Sequence, residues 1–176
     1  MFVVIAGGGR TGAQLANLLV SQDHEVRVVD NRDDILERIH RELPTEAIIE
    51  GDPLEMPVLE QAGIKQADVM AAVTTSDEAN LTLCFMARTR YNVPRTIARV
   101  NNPRDAWLFD SKFHVDVAVN QAEILASLIQ EEMSLGDMIT LLKLRRGNYS
   151  LVEEKIREGA RAIGIETVSY THLRAH

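Results

Sequence analysis

The chain has 176 residues, of which 45% are hydrophobic and 26% are charged, and its formal net charge is −7. This length allows one domain with a full core and a short piece of a second domain. The negative charge argues against a nucleic-acid partner, which needs a basic stripe. The only cysteine, Cys84, excludes an intrachain disulfide and is predicted to be a buried, inert thiol. No apolar run reaches the roughly 20 residues that span a bilayer, so we expect a soluble, cytoplasmic protein without direct membrane insertion.

The first two thirds of the chain alternate short apolar runs with amphipathic stretches, a pattern typical of repeated βα units. Strands are predicted over Phe2–Ala6, Glu25–Asp30, Ala47–Glu50, Val69–Thr74, Thr96–Val100 and Val115–Val119. Helices are predicted over Thr11–Ser21, Asp33–Glu42, Leu54–Ala62, Glu78–Tyr91 and Pro103–Phe109. In the first helix, Leu15, Leu18 and Leu19 are predicted to face the sheet. The predicted fold class is α/β, with a Rossmann-type doubly wound parallel sheet.

The pattern changes after Val119. Residues Gln121–Met133 predict one longer amphipathic helix, whose apolar stripe consists of Ile124, Leu125, Leu128 and Ile129. Met138–Leu144 and Tyr149–Ile156 predict a hairpin around the turn Arg146-Gly147-Asn148. We therefore expect one domain over residues 1–134 and the truncated start of a small second domain over 135–168. Residues 169–176 show no periodicity and are expected to be a non-native or disordered tail.

A glycine motif, G-x-G-x-x-G, follows the first predicted strand and opens the first predicted helix. Gly7 allows the tight turn, Gly9 lets the backbone approach a pyrophosphate, and Gly12 lets the helix pack closely on the strand. Asp30 ends the second strand, where an acid accepts hydrogen bonds from ribose hydroxyls and repels a 2′-phosphate. The combination predicts binding of NAD or an adenosine nucleotide rather than NADP. Arg32 is interpreted as a solvated residue of the next helical turn.

Two further strand ends are predicted to meet the same crevice. Asp52 follows the third strand and either contacts the ligand or caps a helix that begins at Pro53. Thr74-Thr75-Ser76-Asp77 follows the fourth strand, with Asn80 one turn later, and predicts a helix cap that is compatible with ligand contacts.

Two arginines have open alternatives. Arg10 in the glycine loop either pairs with a phosphate or is simply exposed. Arg99 interrupts an apolar strand and therefore needs a partner, which is either an acid such as Asp77 or a ligand phosphate. The histidines have no metal-ligand spacing, and neither a Tyr-x-x-x-Lys motif nor a Ser/His/Asp arrangement is present.

Several segments together resemble the TrkA N-domain, also called the RCK or KTN domain, from Met1 to about Val119. The resemblance rests on the segments Val3–Gly12, Val28–Asp30, Glu50–Asp52, Ala72–Asn80 and Ile97–Asn101. It implies nucleotide contacts at Gly7, Gly8, Gly9, Arg10, Thr11, Gly12, Asp30, Asp52, Thr74, Thr75 and Arg99. It also implies that the second unit is the opening of an RCK-C-like domain.

The same resemblance implies a non-enzymatic regulatory subunit that binds NAD(H) or ATP/ADP and controls potassium uptake. Its implied partners are further copies of the chain, in a dimer or higher oligomer, and a membrane potassium transporter subunit at the inner face of the membrane. The alternative is a fragment of an NAD-dependent oxidoreductase, which would need a catalytic acid or base against the nicotinamide.

Overall fold

The computed structural model of the chain describes residues 1–133, 138–143 and 150–154. Residues 1–124 form one compact unit, and residues 125–176 belong to a second. The predicted turn at residues 146–148 and the tail at 169–176 lie outside the described residues.

A six-stranded parallel sheet forms the centre of the first unit, with the strand order β3-β2-β1-β4-β5-β6. The predicted Rossmann-type doubly wound sheet is confirmed, because the order reverses beside β1, which pairs with β2 on one side and β4 on the other. The strands are β1 (Phe2–Ala6), β2 (Glu25–Asp30), β3 (Ile48–Glu50), β4 (Val69–Ala72), β5 (Arg95–Val100) and β6 (Val117–Asn120).

The α-helices follow the strands in the expected alternation. They are α1 (Arg10–Ser21), α2 (Asp33–Ile39), α3 (Met56–Gln61), α4 (Asp77–Tyr91) and α5 (Gln121–Met133). The segment predicted as a helix over Pro103–Phe109 is instead a 3-10 helix, Pro103–Leu108. Asn102 caps this segment by accepting a hydrogen bond from the Arg104 N–H. Among the described residues, no helix is both long and apolar enough to cross a membrane.

Successive residues of the central strands point to opposite faces of the sheet and build two separate cores. Val3 and Ile5 pack with α1 and α2, whereas Val4 and Ala6 pack with α3 and α4. Each fully buried valine, leucine or isoleucine contributes about 1.5–3 kcal/mol. The sheet is therefore covered on both faces, and its ligand-accessible groups are left at the carboxyl ends of the strands.

Helix α1 packs on the sheet through small residues, and the predicted Leu15 and Leu19 are half-buried against the same core. Gly12, Ala13 and Ala16 form its buried face, while Leu15 and Leu19 flank that face. The prediction for Leu18 is wrong, because its side chain is 52% exposed. Gly12 brings the helix too close to the sheet for large side chains to fit between them.

The second unit contains an antiparallel pair, β7 (Met138–Lys143) and β8 (Ser150–Glu154). The predicted hairpin strands are confirmed over these residues, and the rest of their predicted ranges lies outside the described residues.

We predict that Gly12→Ala destabilises the protein by more than about 3 kcal/mol, well beyond ordinary overpacking of a core. A Cβ atom at Gly12 would lie 1.8 Å from the Gly7 carbonyl oxygen, so the backbone would have to move. Gly9→Ala is the matched control, since the nearest atom to its new Cβ is 3.9 Å away. Urea unfolding followed by circular dichroism measures both variants. Equal stability of Gly12→Ala and Gly9→Ala would contradict the close packing of α1.

Candidate functional site

A cleft of about 190 Å³ opens at the carboxyl ends of β1, β2, β3 and β4. Its walls come from the loop after each of these strands. The lining residues are Gly7, Asp30, Asn31, Arg32, Asp52, Pro53, Thr74, Thr75, Ser76 and Ala79. Of the predicted contacts, Gly7, Asp30, Asp52, Thr74 and Thr75 therefore meet in one place. Gly8, Gly9, Arg10, Thr11, Gly12 and Arg99 are not among the lining residues.

The glycine loop turns the chain sharply from β1 into α1. Gly7 has φ +103° and donates its N–H to the Val29 carbonyl at 2.9 Å. A Cβ atom there would lie 3.1 Å from the backbone of Val73, so both conformation and space favour glycine. Gly8 is confined by Ile35 and Ile39, each 3.1 Å from the position of a Cβ atom. The loop is thus held against β4 on one side and α2 on the other.

Gly9 precedes α1, and the nearest atom to a Cβ placed there would be the Arg32 Nη2, at 3.9 Å. No side chain caps α1, and its first turn contains no acidic residue. The first N–H groups of a helix have no intrahelical partner and carry partial positive charge, which favours an anion. Arg10 is the first residue of α1, rather than part of the loop as predicted, and its side chain is exposed. Thr11 follows it in the same turn.

Asp30 is 3% exposed, and its carboxylate accepts hydrogen bonds from both strand-end loops. The Gly8 N–H donates to one oxygen at 2.7 Å and the Arg32 N–H to the other at 3.0 Å. Burial by itself raises the pKa of Asp30, but the hydrogen bonds from Arg32 and Gly8 outweigh burial and hold the pKa below its ordinary value. Asp30 is therefore a buried anion at neutral pH.

The interpretation of Arg32 as a merely solvated residue is wrong. Its Nε donates to one Asp30 oxygen at 2.9 Å and its Nη2 to the other at 2.6 Å. The carboxylate is buried and lies only two residues away in the chain, so the guanidinium provides its counter-charge. The sequence signal was an arginine two positions after the strand-end acid.

Asp52 forms a turn rather than a helix cap. Its carboxylate accepts the Leu54 N–H at 2.8 Å, and its carbonyl accepts the Glu55 N–H at 3.0 Å. Because α3 begins only at Met56, the predicted helix start at Pro53 is wrong. The turn places Asp52 and Pro53 together in the cleft wall.

The end of β4 is fixed by the predicted cap. Ser76 accepts the Ala79 N–H at 3.1 Å and so caps α4. Thr74 donates its N–H to Asn80 Oδ1 at 2.9 Å, and Asn80 Nδ2 donates to the Arg99 carbonyl at 2.9 Å. Asn80 is fully buried and joins the ends of β4 and β5. Thr75 stays exposed at the cleft.

Asp77 does not pair with Arg99, so that alternative is wrong. Its carboxylate accepts the N–H groups of Asn101 at 2.7 Å and Asn102 at 2.8 Å. Within the described part of the chain, the buried Arg99 Nε has no hydrogen-bond partner. Asn101 also donates its side-chain amide to the Thr74 carbonyl at 3.1 Å. Sequence patterns alone did not indicate that these two asparagines hold the rim of the cleft.

Other reactive groups lie away from the cleft. Cys84 is buried as predicted, and burial raises the pKa of its thiol to about 12, which leaves it protonated and inert. Over residues 1–133, 138–143 and 150–154, no group of His, Cys, Asp and Glu side chains could hold a metal ion.

Comparisons with known proteins give consistent relatives. The family model of the TrkA-N domain matches residues 3–121. The Trk system potassium uptake protein TrkA of Mycobacterium tuberculosis is 37% identical over 153 residues, which cover 87% of this chain and 69% of that protein. The TrkA protein of Haemophilus influenzae is 28% identical over 181 residues, which cover all of this chain but only 39% of the Haemophilus protein.

Solved structures share the fold at low sequence identity. The TrkA-N domain of the inner membrane protein ybaL from Escherichia coli superposes with a TM-score of 0.66 at 15% identity, covering 75% of this chain and 96% of that one. GsuK bound to ADP superposes with a TM-score of 0.64 at 22% identity, covering 74% of this chain and 33% of that one. The GsuK channel bound to NAD gives 0.62 at 23% identity, covering 74% and 23%. With its matching sequence profile and its relatives, this chain belongs to the TrkA-N domain family.

Proposed function

We propose that the chain is a nucleotide-binding regulatory domain of a potassium uptake system, with NAD(H) or ATP/ADP as its ligand. The observation that carries this proposal is the cleft where Gly7 of the glycine loop and Asp30 meet, with the uncapped start of α1 directly after that loop. The TrkA names of its relatives and the ADP and NAD in the GsuK structures support the same class of ligand.

The ligand's parts are assigned to the site by their chemistry. Phosphates lie on the N–H groups at the start of α1, from Gly9 to Gly12, where the helix dipole favours negative charge and where Arg10 and Thr11 are within the same turn. The ribose hydroxyls donate to Asp30, and the adenine end lies toward Asp52. Thr74 and Thr75 line the opposite wall. Over residues 1–133, 138–143 and 150–154, the buried Arg99 Nε has no hydrogen-bond partner, which supports a role toward an anionic ligand.

Regulation requires that the nucleotide bind two states of the protein with different affinities, since equal affinity would shift no equilibrium. We propose that the chain works as a homo-oligomer at the cytoplasmic face of the membrane, attached there to a potassium transporter subunit. In this arrangement it has no catalytic role. Residues 1–134 form the nucleotide domain in this proposal, and the strands β7 and β8 begin the RCK-C-like unit.

The apolar stripe of α5 supports assembly. Ile124, Leu125, Leu128 and Ile129 are each 50–56% exposed, and Met133 is 76% exposed. An apolar surface of this kind commonly marks an interface with another protein. The helix that carries it begins at a cap, because Asn120 accepts the Glu123 N–H at 3.2 Å. A symmetric dimer would place each of these side chains in the contact twice.

Gly9→Val tests the nucleotide site. Gly9 has φ −58° and ψ −175°, a conformation open to valine, so the variant should fold. Its side chain would occupy the position assigned to the phosphates and abolish binding. Thermal shift with NADH, NAD, ATP and ADP measures the effect, since a ligand of the native state raises the melting temperature.

Gln14→Val is the matched control for this experiment, because it puts the same side chain on the exposed face of α1. We expect at least one nucleotide to stabilise the unmodified protein and Gln14→Val, and none to stabilise Gly9→Val. A folded Gly9→Val that keeps full affinity would refute the placement of the phosphates.

Leu128→Glu tests the assembly. We expect the unmodified protein to be at least a dimer and the variant to be a monomer, because a charge would be buried twice in a symmetric contact. Nucleotide binding should persist, since the glycine loop and Asp30 belong to one protomer. Gln130→Glu, on the opposite side of α5, should leave the assembly unchanged. Light scattering distinguishes the outcomes, and a monomeric unmodified protein would refute the proposal.

A further inference from the structure

The guanidinium of Arg32 binds the two oxygens of the Asp30 carboxylate, which are the same acceptors that a ribose would use. Its Nε–H and Nη2–H point side by side at the two oxygens, at 2.9 and 2.6 Å. The vicinal hydroxyls of a ribose present the same pattern of two adjacent donors to a strand-end acid. A carboxylate engaged by this bidentate pair cannot accept both hydroxyls as well. The two sets of donors therefore compete for Asp30.

Arg32 also lies close to the loop that is assigned to the phosphates. Its Nη2 is 3.9 Å from the place where a Cβ atom on Gly9 would stand, and Arg32 lines the cleft beside Asp30. The guanidinium thus lies between the carboxylate assigned to the ribose and the loop assigned to the phosphates. A nucleotide that spans these two points meets it directly.

We propose that Arg32 is an internal competitor that holds the ribose position of Asp30 in the free protein and leaves it when a nucleotide binds. The inference rests on the proposed function, because it assumes that the ribose is recognised by Asp30. Every nucleotide then binds at the cost of breaking the Arg32–Asp30 pair, and Arg32 lowers the affinity of the site.

The structure makes this exchange feasible. The Arg32 side chain is 42% exposed, so the released guanidinium can be hydrated. The charge of Asp34 also raises the pKa of Arg32, so a second carboxylate acts on the guanidinium. Asp30 keeps the N–H groups of Gly8 and Arg32 when the guanidinium departs, so it remains hydrogen-bonded throughout. The exchange thus replaces the guanidinium by ribose hydroxyls, and the buried carboxylate stays hydrogen-bonded.

The test is a double-mutant cycle of Arg32→Ala and Asp30→Asn, with ADP affinity measured by calorimetry on the full chain. We expect Arg32→Ala to tighten ADP binding roughly three- to twentyfold, the range for a partly exposed, bidentate ion pair. In the Asp30→Asn background, which keeps the shape of the side chain but removes its charge, the same substitution should change affinity less than about twofold. Arg41→Ala is the matched control, because Arg41 pairs with Glu37 on the exposed side of α2. It removes the same charge without touching Asp30.

A second measurement does not depend on affinity. In nitrogen-15 NMR of the unmodified protein, the Arg32 Nε–H resonance should move on saturation with ADP toward its position in Asp30→Asn. A resonance that does not move would show that the ion pair survives nucleotide binding and would overturn the proposal.

The calorimetric outcomes separate the two ideas. Unchanged or weaker binding by Arg32→Ala, in a protein that otherwise binds ADP, overturns the inference and leaves the proposed function intact. An equal gain in the Asp30→Asn background also overturns it, because Arg32 would then act without Asp30. Absence of ADP and NAD binding by the unmodified protein and all variants overturns both.

Discussion

The approach of α1 to the turn after β1 sets the position of every group at the cleft. A Cβ atom at Gly12 would lie 1.8 Å from the Gly7 carbonyl, so the helix reaches this depth only with a glycine. Gly7, at φ +103°, makes the sharp turn that leads from β1 into α1. Because of this packing, the uncapped start of α1 lies beside the ends of β1 and β4. Its N–H groups can attract an anion locally, even though the net charge of the chain is negative.

Buried polar groups then fix the rim of the cleft. Asn80 joins Thr74 to the Arg99 carbonyl, and Asp77 holds the N–H groups of Asn101 and Asn102. Burying such groups costs free energy unless they are hydrogen-bonded, so the network holds the ends of β4 and β5 in one arrangement. Asp30 is equally well bonded, but one of its partners, the Arg32 guanidinium, is partly exposed. The rim thus combines a buried hydrogen-bond network around Asn80 and Asp77 with the Arg32–Asp30 ion pair, which is partly open to solvent.

Patterns in the sequence predicted the bounds of a strand best where most of its residues are buried. The strands Phe2–Ala6 and Glu25–Asp30 were predicted with the bounds that β1 and β2 have, because each is an apolar run ended by glycine or by the strand-end acid. The glycine motif likewise predicted the roles of Gly7 and Gly12, which follow from backbone sterics. Periodicity failed at Leu18, since helical spacing identifies an apolar residue but not how deep the helix lies. It also failed at Pro103, where a short connection formed a 3-10 helix.

The sequence by itself determined the sheet, its order of βα units and the position of the cleft at the strand ends, because these depend on local spacing and on the chemistry of a few residues. Only the tertiary structure decided the partners of the charges. Arg32 was two residues from Asp30 in the sequence, yet the fork-shaped contact depends on the loop bend after β2. Asp77 was one of two alternative partners expected for Arg99, but its carboxylate accepts the N–H groups of the next loop. A side chain's partner is set by direction and distance in three dimensions, and neither is encoded by spacing along the chain.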